Sequence, residues 1–130
     1  MTTQTATVSK LASVIIPVRD QDRAVEFYTQ KVGLEMRADL SFGEGGRWIE
    51  VAPTAGETPI ALCPPGPDGA AGGKETGISL QTDDIEAYHA QLKDRGVDVD
   101  DAVHQLGEGV PPLFWFRDLE GNRLMVVQAS

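Results

Sequence analysis

Glu50, two residues beyond Trp48 in the alternating run Arg47 to Ala52, has the most chemistry to offer in this chain. A carboxylate beside an indole in a low-dielectric pocket can pair with a ligand amine. With its pKa raised by burial it can also act as a general base. On an exposed strand edge it would instead pair with Arg47, Arg123 or solvent. Trp48 and Trp115 are the two tryptophans. Facing inward, they can stack on a flat or heteroaromatic ligand or hold a cation against their π faces. The alternative for each is to fill the concave side of a sheet or a dimer contact, where Trp is enriched. Cys63 would be a nucleophile only if a neighbour depressed its pKa. No His or Lys lies close in sequence, so it reads as a small buried hydrophobe. His89 falls on a helical segment, at the edge of a core, and His104 in a polar stretch facing solvent. The chain has no Ser/His/Asp triad and no CxxC pair. The glycines of residues 66 to 73 lack the Lys-Ser/Thr and strand-loop-helix context of a phosphate loop.

The elements that must position these residues fit one domain. A chain of 130 residues can bury a core without staples. Its formal charge of -9 disfavours nucleic acid and anionic membranes as partners, and suits solubility or a cationic ligand. The apolar runs are too short to span a bilayer, and residues 1 to 9 read as a loose tail without a signal-peptide core. With a single cysteine and no internal disulfide, a reducing cytoplasm is the expected location.

Residues 10 to 18 read as a strand. Asp20 then caps a helix carrying Ala24, Phe27 and Tyr28 on one face, and Gly33 stops it. Strands follow at Leu34 to Leu40, Arg47 to Ala52 and Thr58 to Cys63. Pro64 to Thr76 is a Pro/Gly-rich linker or mobile flap. The pattern then returns. Gly77 to Thr82 is a strand, Asp83 or Asp84 caps a helix carrying Ile85, Tyr88, His89 and Leu92, Gly96 closes it, and Val97 to Val99 begins another strand. The hairpin Phe114 to Gln128 turns at Asp118-Leu119-Glu120-Gly121-Asn122, which sets Trp115 across from Met125 and turns Phe114, Phe116, Leu124 and Val126 to the other side.

The two halves superpose at a near-constant offset, Ser13 on Gly77, Asp20 on Asp84 and Gly33 on Gly96. The expected class is therefore α+β. Two tandem βαβββ modules, 10–63 and 77–130, form a cupped mixed sheet around a cavity with helices on its outer face. An unrelated α+β sandwich is the competing architecture. Within the repeat, VRDQDRAVEFYTQKVGLE, TGISLQTDDIEAYHAQLKDRGV and FRDLEGN resemble the vicinal oxygen chelate superfamily, the glyoxalase/bleomycin-resistance/dioxygenase fold, over Lys10 to Gln128. The usual turn has Pro where this chain has Leu119. In metal-using members, four inward His or Glu residues chelate a divalent ion. Here the resemblance places Ser13, Ala61, Gly77 and Met125 at those positions, and none is a credible ligand for such an ion. The resemblance thus implies a member with no metal and no cofactor, excludes glyoxalase I or extradiol dioxygenase chemistry, and implies a homodimer.

Alternation assigns Ser13, Ile15, Trp48, Glu50, Ala61, Cys63, Gly77, Ser79, Gln81, Trp115 and Met125 to the cavity face, with Leu11 and Val127 beside them. The mix is mostly apolar with a few polar groups, as small-molecule sites are. The leading expectation is a binder of a small cationic or aromatic drug or natural product. A metal-independent isomerase or lyase with Glu50 as base is the alternative, and a scaffold with a decayed site is the third.

Overall fold

The computed structural model describes residues 5–56 and 58–130. Eight strands and two helices follow one another as βαβββ twice. The first module is β1 (Val14–Pro17), α1 (Gln21–Glu26, continuing as a π-helical turn Phe27–Val32), β2 (Glu35–Phe42), β3 (Gly46–Ala52) and β4 (Ile60–Cys63). The second is β5 (Glu75–Thr82), α2 (Ile85–Asp94), β6 (Asp98–Val99), β7 (Leu113–Arg117) and β8 (Arg123–Gln128). Each module makes a four-stranded mixed sheet, ordered β1-β4-β3-β2 and β5-β8-β7-β6.

The duplication is visible in the register. Ile15 lies beside Ala61 in the parallel pair β1/β4, and the residues 64 positions later, Ser79 and Met125, lie side by side in β5/β8. It is visible in the helix ends too. Lys31 Nζ donates to the Arg95 carbonyl at 3.0 Å while Arg95 Nη1 donates to the Lys31 carbonyl at 2.9 Å, a reciprocal exchange between equivalent positions.

The caps form as the side-chain chemistry dictates. Asp20 accepts from the Arg23 amide and Asp84, rather than Asp83, from the Ala87 amide. Gly33 and Gly96 end the helices with positive φ of 96° and 80°. One core joins both modules. Ile16, Ile49, Val51, Ile60 and Leu62 from the first sheet and Phe114, Phe116, Leu124 and Val126 from the second pack with Phe27, Tyr28, Val32, Ile85 and Leu92 of the helices. Gln21 Nε2 donates to the carbonyls of Arg47 and Leu62, fixing α1 to β3 and β4. Among the described residues no helix is long and apolar enough to cross a membrane.

Several boundaries depart from the sequence reading. The first strand covers only Val14–Pro17; residues 10 to 13 lie outside it and Leu11 is 71% exposed, because Val14 is the first residue with a partner in β4. Residues 5–13 carry no regular secondary structure, and the first four positions of the expected tail lie outside the described residues. Two strands start two residues away from expectation, at Ile60 and Glu75, and β2 runs on to Phe42. The linker is tied down at its end rather than free. The Gly73 amide donates to the Glu120 carbonyl, the Lys74 amide to Asn122 Oδ1, and Ala71 is buried.

The modules are locked by the turn of the last hairpin. Asp118 is buried and accepts from Tyr28 Oη at 2.7 Å, from the Glu120 and Asn122 amides at 2.9 Å each, and from Asn122 Nδ2 at 3.0 Å. Glu120 carries the clasp to the entrance of α1, where its carboxylate accepts from the Arg19 and Asp20 amides. Tyr28→Phe removes a hydrogen bond to a buried charge and should lower unfolding stability by about 2 kcal/mol in urea denaturation.

Burial first, and then the charge of Asp118, push the Tyr28 phenol far above its ordinary range; burial pushes Tyr88 up to about 12. The unfolded chain ionises both phenols near 10 and the folded chain holds them neutral. The stability they contribute is therefore complete below about pH 10 and declines as pH rises above it. Alkaline titration at the phenolate absorbance should show no tyrosine ionising near pH 10 in the native protein, and both ionising there in urea.

Candidate functional site

Each sheet turns one face to the helices and leaves the other open. On the first sheet a continuous row crosses the open face. Ala38 lies opposite Glu50, Glu50 opposite Ala61, and Ala61 beside Ile15. Leu40 and Trp48 pair one step along. Trp48 Nε1 donates to Glu50 Oε2 at 2.8 Å, so the carboxylate's partner is the indole of its own strand rather than Arg47 or Arg123. Arg47 is engaged elsewhere, with Asp39 and Asp22. Cys63 is buried on the same strand as Ala61. Burial pushes its thiol up and the Glu50 charge pushes it further, which is the wrong direction for a nucleophile.

On the second sheet the equivalent row is Ser79 beside Met125, Met125 opposite Trp115, and Trp115 bonded to Asp100. Glu50 and Trp115 thus occupy matching places. Asp100 is a hub. Its carboxylate accepts from His104 Nε2 at 2.8 Å, the Trp115 amide at 3.0 Å and Arg117 Nη2 at 2.9 Å, and these bonds bring its pKa below the usual carboxylate value although desolvation opposes them. The Arg123 guanidinium lies over the Trp115 ring, 4.6 Å from its centroid.

The sequence-derived residues therefore fall into two groups on two faces. Ile15, Trp48, Glu50, Ala61 and Cys63 belong to the first sheet; Gly77, Ser79, Gln81, Trp115 and Met125 belong to the second. Ser13 immediately precedes β1. Gly77, Ser79 and Gln81 also line a cavity of about 500 Å³ between β5 and the Val14 and Pro53–Ile60 segments, which neither tryptophan lines. His89 is buried rather than at the core's edge. Its Nε2 donates to the Asp100 carbonyl at 2.6 Å and its ring meets Phe114 edge-on. His104 is only half exposed, because Asp100 and the Trp115 ring hold it. Sequence reasoning missed Asp100, Arg117 and Arg123. The hairpin register carried a signal for the two arginines, since Arg117 and Arg123 flank the turn on the Trp115 side.

The residues at the four positions that the family resemblance assigns to metal ligands do not fit a divalent ion. Ala61 and Gly77 have no side-chain donor, Met125 offers a soft thioether, and Ser13 a single hydroxyl. Among the described residues no three His, Cys, Asp or Glu side chains converge elsewhere.

A fold of paired βαβββ modules with two open faces defines a class. The chain belongs to the glyoxalase/bleomycin resistance protein/dioxygenase superfamily, whose profile matches residues 10–126. Within it, the chain is 33% identical to TnmS3, an antibiotic binding protein from Streptomyces sp. CB03234, with a TM-score of 0.82 over 97% of this chain and 100% of that one. A superfamily member from Sphaerobacter thermophilus is 32% identical, with a TM-score of 0.87 over 94% and 98% of the two chains. The Bacillus subtilis protein YetH is 29% identical over 88% of this chain and 94% of its own.

Cys63 should resist thiol reagents at pH 8 in the native protein and react at the rate of a small thiol once unfolded in urea. Equal rates in the two states would show that Cys63 is not buried.

Proposed function

We propose that this protein is a metal-independent binder of a small, flat aromatic molecule of drug or natural-product type. The observation that carries this reading is a substitution of chemistry. The four chelating positions hold no suitable donor, while the open row of each sheet retains a tryptophan fixed by a charged neighbour, Trp48 by Glu50 and Trp115 by Arg123. Such faces favour stacking and oriented polar contacts over Lewis-acid catalysis. The similarity to an antibiotic binding protein over nearly the whole chain supports the same class of ligand.

The open face of the first sheet is too apolar to stand alone. Ile15 is 56% exposed and Leu40 61% exposed. We read it as the half of a homodimeric cup that a second copy covers, with the ligand between the copies and a cationic or donor-bearing edge against Glu50. The acidic, single-cysteine chain suits the cytoplasm.

Tryptophan fluorescence titration against a panel of aromatic natural products, cationic glycopeptides included, should give saturable quenching for one class. Trp48→Ala should weaken that binding about tenfold or more with the fold unchanged by circular dichroism. Glu50→Gln should weaken cationic members of the panel selectively. A divalent ion that raises the melting temperature at stoichiometric concentration would overturn the metal-independent reading, and turnover abolished in Glu50→Gln with binding retained would replace it with the isomerase or lyase reading.

A further inference from the structure

The two open faces are built on equivalent rows yet carry opposite charges beside their tryptophans. Trp48 is fixed by a carboxylate and Trp115 by a guanidinium. Arg123 stands directly opposite Arg117 across the β7/β8 pair, so both side chains rise from the same face as Trp115. Neither is loose. Arg117 Nη2 donates to Asp100 at 2.9 Å, with Asp98 3.8 Å away, and Arg123 Nε donates to Glu75. Each carboxylate occupies one edge of its guanidinium and fixes its plane, which leaves further N–H groups for another acceptor.

These two arginines and Lys74 border a cleft of about 250 Å³, and Arg123 reaches from its lining over the Trp115 ring. Its remaining walls are Glu75, Gly73 and Gly121. Gly73 and Gly121 both have positive φ, and a Cβ on Gly121 would lie 3.6 Å from the Gly73 backbone, so this wall is bare main chain. Among the described residues no carboxylate pairs with Lys74. A chain with nine more acidic than basic side chains has thus brought three of its eleven cations to one small cleft, against one carboxylate in its lining.

We propose that this cleft is an anion subsite of the ligand site. The aromatic body of the ligand lies along Trp115 and Met125, and an acidic oxygen on it, a carboxylate or ionised phenol, sits between Arg123, Arg117 and Lys74. Arginine edges held in plane by Glu75 and Asp100 suit a planar oxyanion, and charge-assisted hydrogen bonds there select it over a neutral analogue. This inference rests on the ligand-binding reading above and adds the chemical class of one end of the ligand.

The test is an NMR-detected titration of the full chain with three matched probes, 2-naphthoate, 2-naphthylmethanol and 2-naphthylmethylammonium. At low ionic strength the carboxylate should bind about tenfold tighter than the alcohol, and the ammonium weaker than both. Arg123→Gln and Lys74→Gln should bring the carboxylate-to-alcohol ratio close to one. Lys74 is exposed, so its variant reports even if Arg123→Gln unfolds. High salt should shrink the same ratio. Alcohol binding that depends on Trp115, with no preference for the carboxylate, would overturn the anion subsite and leave the ligand-binding reading standing. No binding of any probe, or binding indifferent to Trp115→Ala, would overturn both for this face.

Discussion

The contact on which the structure depends is the buried hydrogen bond from Tyr28 to Asp118. It joins the first helix to the last hairpin across ninety residues of chain. A buried carboxylate is tolerable only when its lone pairs are met, and here the phenol, two turn amides and the Asn122 side chain meet them. The same turn reaches out through Glu120 to the amides at the head of α1 and, through its backbone, to the linker at Gly73. Helix, hairpin and linker are therefore fixed at one point. The Phe-Tyr pair in the first module and the Asp-Leu-Glu-Gly-Asn turn in the second are two halves of one clasp.

From that clasp follows the orientation of both sheets. With α1 held against the hairpin and the two helix ends exchanging Lys31 and Arg95 bonds, each sheet packs its branched and aromatic face inward. The opposite faces are left for function. The core residues and the open-face residues alternate along the same strands, as in Trp115 between Phe114 and Phe116. The core can be kept while the open face changes, because neighbouring side chains on a strand never share a surface. That separation lets Ala61, Gly77 and Met125 stand on the open side with no damage to the packing of the core.

The duplication has diverged most where the faces are open. Matching places in the two rows hold Glu50 on one sheet and Trp115 on the other, and the charged partners of the two tryptophans differ in sign. Duplicated halves with identical faces would present the same chemistry twice; here a carboxylate meets one tryptophan and a guanidinium the other.

The sequence by itself determined the local elements and their repeat. Asp20 is read as a cap where it stands, Asp83 or Asp84 as the second, Gly33 and Gly96 supply positive φ, and the Phe114–Gln128 register follows from a turn that needs Gly121. These are decisions made within a few residues, which is why they were legible. The residue types at Ser13, Ala61, Gly77 and Met125 could be read off the sequence once the family resemblance assigned those positions. Tertiary structure alone decided the rest. It chose Trp48 as the partner of Glu50, drew His89 into the core, tied the linker to the hairpin, and gathered Asp100, His104, Arg117 and Arg123 around Trp115. Those groups come from separate strands and loops, and long flexible charged side chains choose partners by reach and desolvation in three dimensions, which no periodicity along the chain records.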